Sequence, residues 1–367
     1  MCVFLAAEAA KAGTWCTLRG DVCVTGEPSD NLAQVAEALS EARTRVRIHW
    51  HLTPQTGLRQ GAPLQVQING SSRAASFVTT ARDGLSAFDR AVGEILFPRH
   101  LRGAALAVEA ERAVLLAARA SLCPGGNEVL ALAEVEPLAA LMSARLPEGP
   151  TERTPRETVQ DARFWSWLDA RTAKSPGDFV RGAWAAAASQ TPDGDASWKH
   201  EPDLLDVART TLKTPGYGWS ELGPALLDFE AAPERLGARG TRDWDLAWEG
   251  TTRRVYAPGD LTPYRVSRVA IAKPPARLRV EWEWEQHAHF MVLAVALHND
   301  GSVERRVWVH SPGRGSNVSY TFGGLEQVSE LVLLATNTGD ADRPYDPDEE
   351  TPEPHRLSIT YADADTL

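Results

Sequence analysis

The chain has 367 residues, 43% of them hydrophobic and 24% charged, a globular balance that excludes wholesale disorder. Thirty-eight Lys and Arg against 49 Asp and Glu leave a net charge of −11, which argues against a nucleic-acid footprint. At about 150 residues per domain the length suggests two or three domains.

The apolar stretch Met1 to Ala7 is interrupted by Glu8 and Lys11. It is too short to span a membrane and lacks the basic flank of a secretory signal. The expectation is a cytoplasmic protein, or a periplasmic or extracellular one whose leader has been removed. The four cysteines are Cys2, Cys16, Cys23 and Cys123, with no CxxC pair, so a structural zinc site is not expected. Cys16 and Cys23 bracket a turn-like stretch that a disulfide would close in an exported protein; free thiols are the alternative.

Residues 1–82 read as a small α/β unit. Leu32, Val35, Ala36 and Leu39 recur at helical spacing. Val46, Ile48, Trp50 and Leu52 then alternate with Arg45, Arg47, His49 and His51, which predicts a strand. Two further strands are predicted at Leu64–Ile68 and Ala75–Thr79, separated by the Asn69-Gly70 turn. Residues 83–240 read as an alanine-rich helical domain, with helix starts near Ser86, Gly103, Asn127, Thr158, Ser175, Asp203 and Ser220. Ser175-Pro176-Gly177-Asp178 supplies an N-cap, a first-turn proline and an acid. In residues 241–367 the period switches to two. Leu278, Val280, Trp282 and Trp284 share a face, and short strands follow at 290–298, 303–310, 317–322, 331–336 and 357–361. This predicts an antiparallel β-sandwich that folds alone from about Thr241. Trp282 and Trp284 read as core, since they share their face with Leu278 and Val280. The whole is an α+β multidomain protein.

No GxxxxGK[ST] and no Gly-x-Ser-x-Gly occurs, which sets aside P-loop enzymes and α/β-hydrolases. His49 and His51, two apart on a strand, would point to one face and could chelate a metal; a solvated strand face is the alternative. His287 and His289 repeat that spacing. Near the end, Asp340, Asp342, Asp346 and Asp348 are followed by Glu349, Glu350 and Glu353. Closely spaced carboxylates with Gly339 beside them suit Ca²⁺ and its oxygen ligands; a solvated acidic hairpin is the alternative.

The order of elements resembles a gluzincin-type metallopeptidase: a small mixed sheet, an active-site helix, a helical domain and often a β-sandwich. Phe164-Trp-Ser-Trp-Leu168 followed by Pro176-Gly-Asp-Phe-Val-Arg-Gly-Ala-Trp184 looks like the helical-domain stretch of such proteins. The sequence contains no HExxH. If the helix is Ser86–Leu101, the motif falls on Gly93-Glu94-Ile95-Leu96-Phe97 and only Glu94 remains as a candidate catalytic residue. Gly and Phe cannot ligate zinc, so Zn²⁺ is not expected. The resemblance implies a non-catalytic peptidase-like scaffold whose sandwich binds a protein or cell-surface partner. The alternative is a divergent metal-dependent hydrolase with ligands from separated segments, such as His49, His51 and Glu94 or His100.

Overall fold

The computed structural model describes residues 13–28, 30–54, 62–71, 73–79, 93–122, 131–145, 161–189, 222–236, 244–248, 253–256, 261–285, 288–310, 317–340, 343–344 and 354–365, with positions 204, 205, 208, 212 and 250. Among these, seven helices are seen: α1 (Leu32–Trp50), α2 (Gly103–Leu122), α3 (Ala131–Ser143), α4 (Ala162–Thr172), α5 (Asp178–Ser189), α6 (Leu222–Glu230) and α7 (Pro233–Leu236). The protein is α+β and multidomain. Its contacts divide it into two compact units, residues 1–148 with 172–207 and residues 149–171 with 208–367.

The first unit is built on a mixed sheet of β1 (Gly13–Cys16), β2 (Val22–Gly26), β3 (Leu64–Asn69), β4 (Ser76–Thr79) and β5 (Gly93–Pro98), in the order β1-β2-β3-β5-β4. β2, β3 and β5 are parallel, and β1 and β4 are antiparallel edges. Cys16 and Cys23 stand opposite each other in the β1–β2 hairpin and are disulfide-bonded. Val22, Val24, Leu64, Val66, Ile95 and Phe97 form the core with α1, α2, α3 and α5. The apolar set alternates along each strand, so one face of the sheet is covered.

Two expectations fail here for identifiable reasons. The strand expected at residues 46–52 is instead the last five residues of α1 and the two that follow it. Val35, Leu39, Ala42 and Val46 are buried at spacings of three and four, whereas Ile48 is 61% exposed. The period-two alternation was composition without burial. α1 ends at His51, which takes a left-handed conformation with its N–H on the Arg47 carbonyl. The helix expected at Ser86–Leu101 is, where described, the strand β5. Gly93 is required there because a Cβ would lie 2.3 Å from the Val78 carbonyl oxygen of β4.

The second unit contains a two-sheet sandwich. One sheet runs β11 (Val303–His310), β10 (Ala288–His298), β13 (Val328–Asp340), β8 (Val266–Ala272) and β6 (Trp244–Ala247), with β14 (Arg343–Pro344) beside β13. The other runs β12 (Asn317–Phe322), β9 (Leu278–Trp284), β15 (Leu357–Asp363) and β7 (Arg253–Tyr256). Pairing is antiparallel except between β6 and β8. Trp282 and Trp284 are buried in the core between the sheets with Phe290, Val292, Leu331 and Leu333.

β10 and β13 are apolar on both faces. Met291, Leu293, Val295, Val332 and Leu334 turn away from the sandwich core and pack with Leu227 of α6, Leu236 of α7 and Ala231 between them. Phe164 of α4 meets Phe229 of α6 edge-on at 5.5 Å. On β8 the alternation places buried Arg268 on the helix side, where it reaches Glu230 at 3.2 Å and donates to the Arg235 carbonyl at 2.8 Å. The helices at residues 83–240 therefore do not form one domain: α2, α3 and α5 complete the first unit, and α6 and α7 cover the second sheet. A sandwich beginning at Thr241 is not a complete unit either, because its larger sheet needs that cover.

A fragment of residues 241–367 should expose the second face of β10 and β13 and melt without a cooperative transition. Residues 149–171 linked to 208–367 should melt cooperatively. Each uncovered large side chain forgoes about 1.5–3 kcal/mol. Equal, cooperative melting of the two would refute the role given to α6. Gly93→Ala should destabilise the first unit by about 1–3 kcal/mol in urea, since backbone cannot yield as a side chain would.

Candidate functional site

α2 should be an apolar, alanine-rich helix, and Ala110, Ala113, Val114 and Ala117 are indeed buried. Yet Glu109, Glu111, Arg112 and Arg119 on the same helix are no more than 6% exposed, as are Glu134 and Glu136 on α3. Charges withdrawn from water this far must be paired and hydrogen-bonded.

Each of them has an ionic partner, though the second oxygen of Glu111 is left without a hydrogen bond among the described residues. Arg112 bonds Glu109 one turn back and reaches Glu136 of α3 through Nε at 2.8 Å. Arg145 bonds the other oxygen of Glu136 at 2.5 Å. Arg119 engages both oxygens of Glu134, at 2.5 and 3.2 Å, and the Trp184 indole N–H of α5 donates to the same carboxylate at 2.8 Å. Arg45 of α1 reaches Glu111 at 2.9 Å. Glu109 also accepts the Ala75 backbone N–H, just before β4. Four carboxylates thus meet four guanidinium groups across α1, α2, α3 and the segment after it.

Burial pushes the Glu111 carboxyl above its ordinary value of 4.5, with the charge of Arg45 opposing the shift. The folded chain holds that proton to higher pH than the unfolded chain. Glu111 therefore lowers stability as pH rises from the usual carboxylate range through its folded value. Arginine stays protonated at any working pH, so the network offers fixed charges and directional donors rather than a proton carrier.

The residues singled out from sequence are not brought together. His49 and His51 sit at the end of α1 and just beyond it, where residues two apart point to different sides. The charge of His49 acts on Glu111. Glu94 lies on β5 between the buried Ile95 and Gly93, on the opposite side of the strand from the core, while His100 follows β5 in a left-handed turn conformation. Gly93 and Phe97 on a strand are about 13 Å apart, against one turn on a helix, so the motif placed there loses its geometry. Among the described residues no group of three or more His, Cys, Asp or Glu could hold a metal ion. Asp340 closes β13, and Asp342, Asp346 and Asp348 lie outside the described residues, as do Cys2, Cys123 and His287. His289 bonds Thr338 at 2.7 Å. No described helix is long and apolar enough to cross a membrane.

The buried network was missed in the sequence because its partners are up to 66 residues apart, most of them on different helices. The available signal was a set of charges inside apolar runs: Val108-Glu-Ala-Glu-Arg-Ala-Val114, then Leu132-Ala-Glu-Val-Glu136.

No family model matches this chain, and no curated protein matches it. Solved structures with partial likeness include the pre-peptidase C-terminal domain of a Bacillus anthracis collagenase, 6% identical over 34% of this chain and 99% of that one, TM-score 0.23. The xylan-binding CBM22-1 domain of Paenibacillus barcinonensis Xyn10C is 7% identical over 30% of this chain and 70% of its own, TM-score 0.20. PliG, a periplasmic inhibitor of g-type lysozyme from Aeromonas hydrophila, is 12% identical over 33% and 98%, TM-score 0.22. Likeness at this level carries no functional argument.

Removing Arg112 while leaving its carboxylates should cost about 3–5 kcal/mol, the penalty of an uncompensated buried charge. Arg112→Met should thus be severely destabilised in urea, and Glu109→Gln with Glu136→Gln should restore much of the loss. No recovery in the triple variant would show that packing, not charge, sets the cost.

Proposed function

We propose that the first unit is a non-catalytic, peptidase-like scaffold and that the sandwich serves as the chain's binding module. One observation carries the first part. In the gluzincin resemblance the active-site helix follows the mixed sheet, and the helix in that position is α2. If α2 stands in for that helix, Val108-Glu109-Ala110-Glu111-Arg112 falls on the HExxH positions and only the glutamate matches. Glu136 of the following helix is bonded to Arg112.

An arginine between two carboxylates occupies the charge that a metal would supply. A divalent cation ~4 Å from that guanidinium would be opposed by about 8 kcal/mol at an effective dielectric of ~20. Glu109 is 6% exposed and its oxygens face Arg112 and the Ala75 N–H, so it has no water to activate. The binding part of the reading is supported by the four-stranded sheet, whose outer side carries Arg279, Glu281, Glu283, Ser319 and Thr321, in register and polar. The Cys16–Cys23 bond supports an oxidising compartment, periplasmic or extracellular.

The purified chain should hold no stoichiometric zinc and cleave no peptide. The Val108→His, Arg112→His variant should gain one zinc per chain, because two histidines at i and i+4 with Glu136 complete a His₂Glu set. Zinc in the unaltered chain, with peptide hydrolysis lost on chelation, would overturn the proposal.

A further inference from the structure

A cavity of about 300 Å³ opens between the disulfide-closed β1–β2 turn and α1, lined by Arg19, Asp21, Arg43, Arg47, Leu52 and Pro54 among others. Arg43 and Arg47 are one turn apart on α1, a like-charge pairing that destabilises a helix by itself. Arg19 approaches from the turn, where Gly20 takes φ +65° and lets the hairpin bend. Against these three cations stands one carboxylate, Asp21. That carboxylate is already engaged, accepting from Thr17 at 2.5 Å and from Ser40 at 2.8 Å. Arg43 is anchored by donating to the Asp21 backbone carbonyl. Neither Arg19 nor Arg47 has an ion-pair partner among the described residues.

The cavity therefore carries a local charge of about +2 in a chain whose net charge is −11. Burial and the neighbouring Arg47 both press the Arg43 guanidinium toward its neutral form, with Asp21 opposing. Arg19 and Arg47 are exposed and Arg43 is half-buried, so the three guanidinium groups present N–H donors at the mouth of the cavity, where a doubly charged oxyanion can accept paired bonds from them. The volume exceeds that of the anion alone, and Leu52 and Pro54 offer apolar wall to a small attached body.

We propose that this cavity is a binding site for an oxyanion of the phosphate class, free or as a small monoester. The Cys16–Cys23 bond closes the turn that brings Arg19 to the cavity and so couples the site to the redox state of the hairpin. Nothing in this site overlaps α2 or α3, so it stands apart from the peptidase-like reading.

The test is isothermal titration of the full chain with inorganic phosphate and with glucose 6-phosphate, against chloride at equal ionic strength. Saturable, one-to-one binding is expected in phosphate and absent in chloride. Tighter binding of the monoester would assign the site to esters, and equal or weaker binding to the free anion. Arg19→Gln with Arg47→Gln should lower the association constant at least tenfold while leaving the melting temperature in chloride unchanged or raised. Reduction of Cys16–Cys23 should weaken binding as well. Absence of saturable binding, or a double variant that titrates like the parent, would overturn the proposal.

Discussion

A charge taken out of water has to be met by its opposite in the same place, and that requirement fixes how the helices of this protein sit. In an alanine-rich helix such as α2, apolar packing alone tolerates sliding and rotation, because small side chains make shallow ridges. Arg112 removes that freedom by reaching Glu109 on its own helix and Glu136 on α3. Arg119 repeats the lock about two turns further on, with Glu134 held at the same time by the Trp184 indole. In the second unit Arg268 does the equivalent from a sheet, joining β8 to Glu230 of α6. Replacing such pairs by apolar residues is often neutral or stabilising, so their value here lies in register rather than in net stability.

This gives the buried glutamates a meaning different from that of an active site. A catalytic carboxylate needs an open coordination position or an accessible water, and a pKa set for exchange. Glu109 and Glu136 have guanidinium partners that never deprotonate and surroundings closed to solvent. The arginines make these carboxylates part of the packing between helices.

What the sequence disclosed follows the range over which each signal acts. The strands of the sandwich were legible because side-chain alternation is a neighbour-to-neighbour property, and Leu278 to Trp284 display it without interruption. The Cys16–Cys23 pair was legible because six residues between two cysteines already describe a hairpin. Residues 46–52 misled because arginine and histidine happen to alternate with apolar residues on a helix whose buried set is Val35, Leu39, Ala42 and Val46. The helical cover on β10 and the ion pairs of α2 were not legible, since each depends on a partner distant in the chain. The run Phe290 to Ala296, apolar at every position, was nonetheless the local trace of a strand covered on both sides.

The placement of β15 in the middle of its sheet bears on how the protein comes into being. β15 lies between β9 and β7, and its partner β7 precedes it by about a hundred residues. A nascent chain emerging from the ribosome can assemble β10 with β11 early, yet the four-stranded sheet has a gap at its centre until residues 357–363 arrive. Closing so long a loop makes folding slow, and the inner side of β9 stays uncovered meanwhile. A late closure of this sheet, with its central strand the last to arrive, is thus written into the strand order.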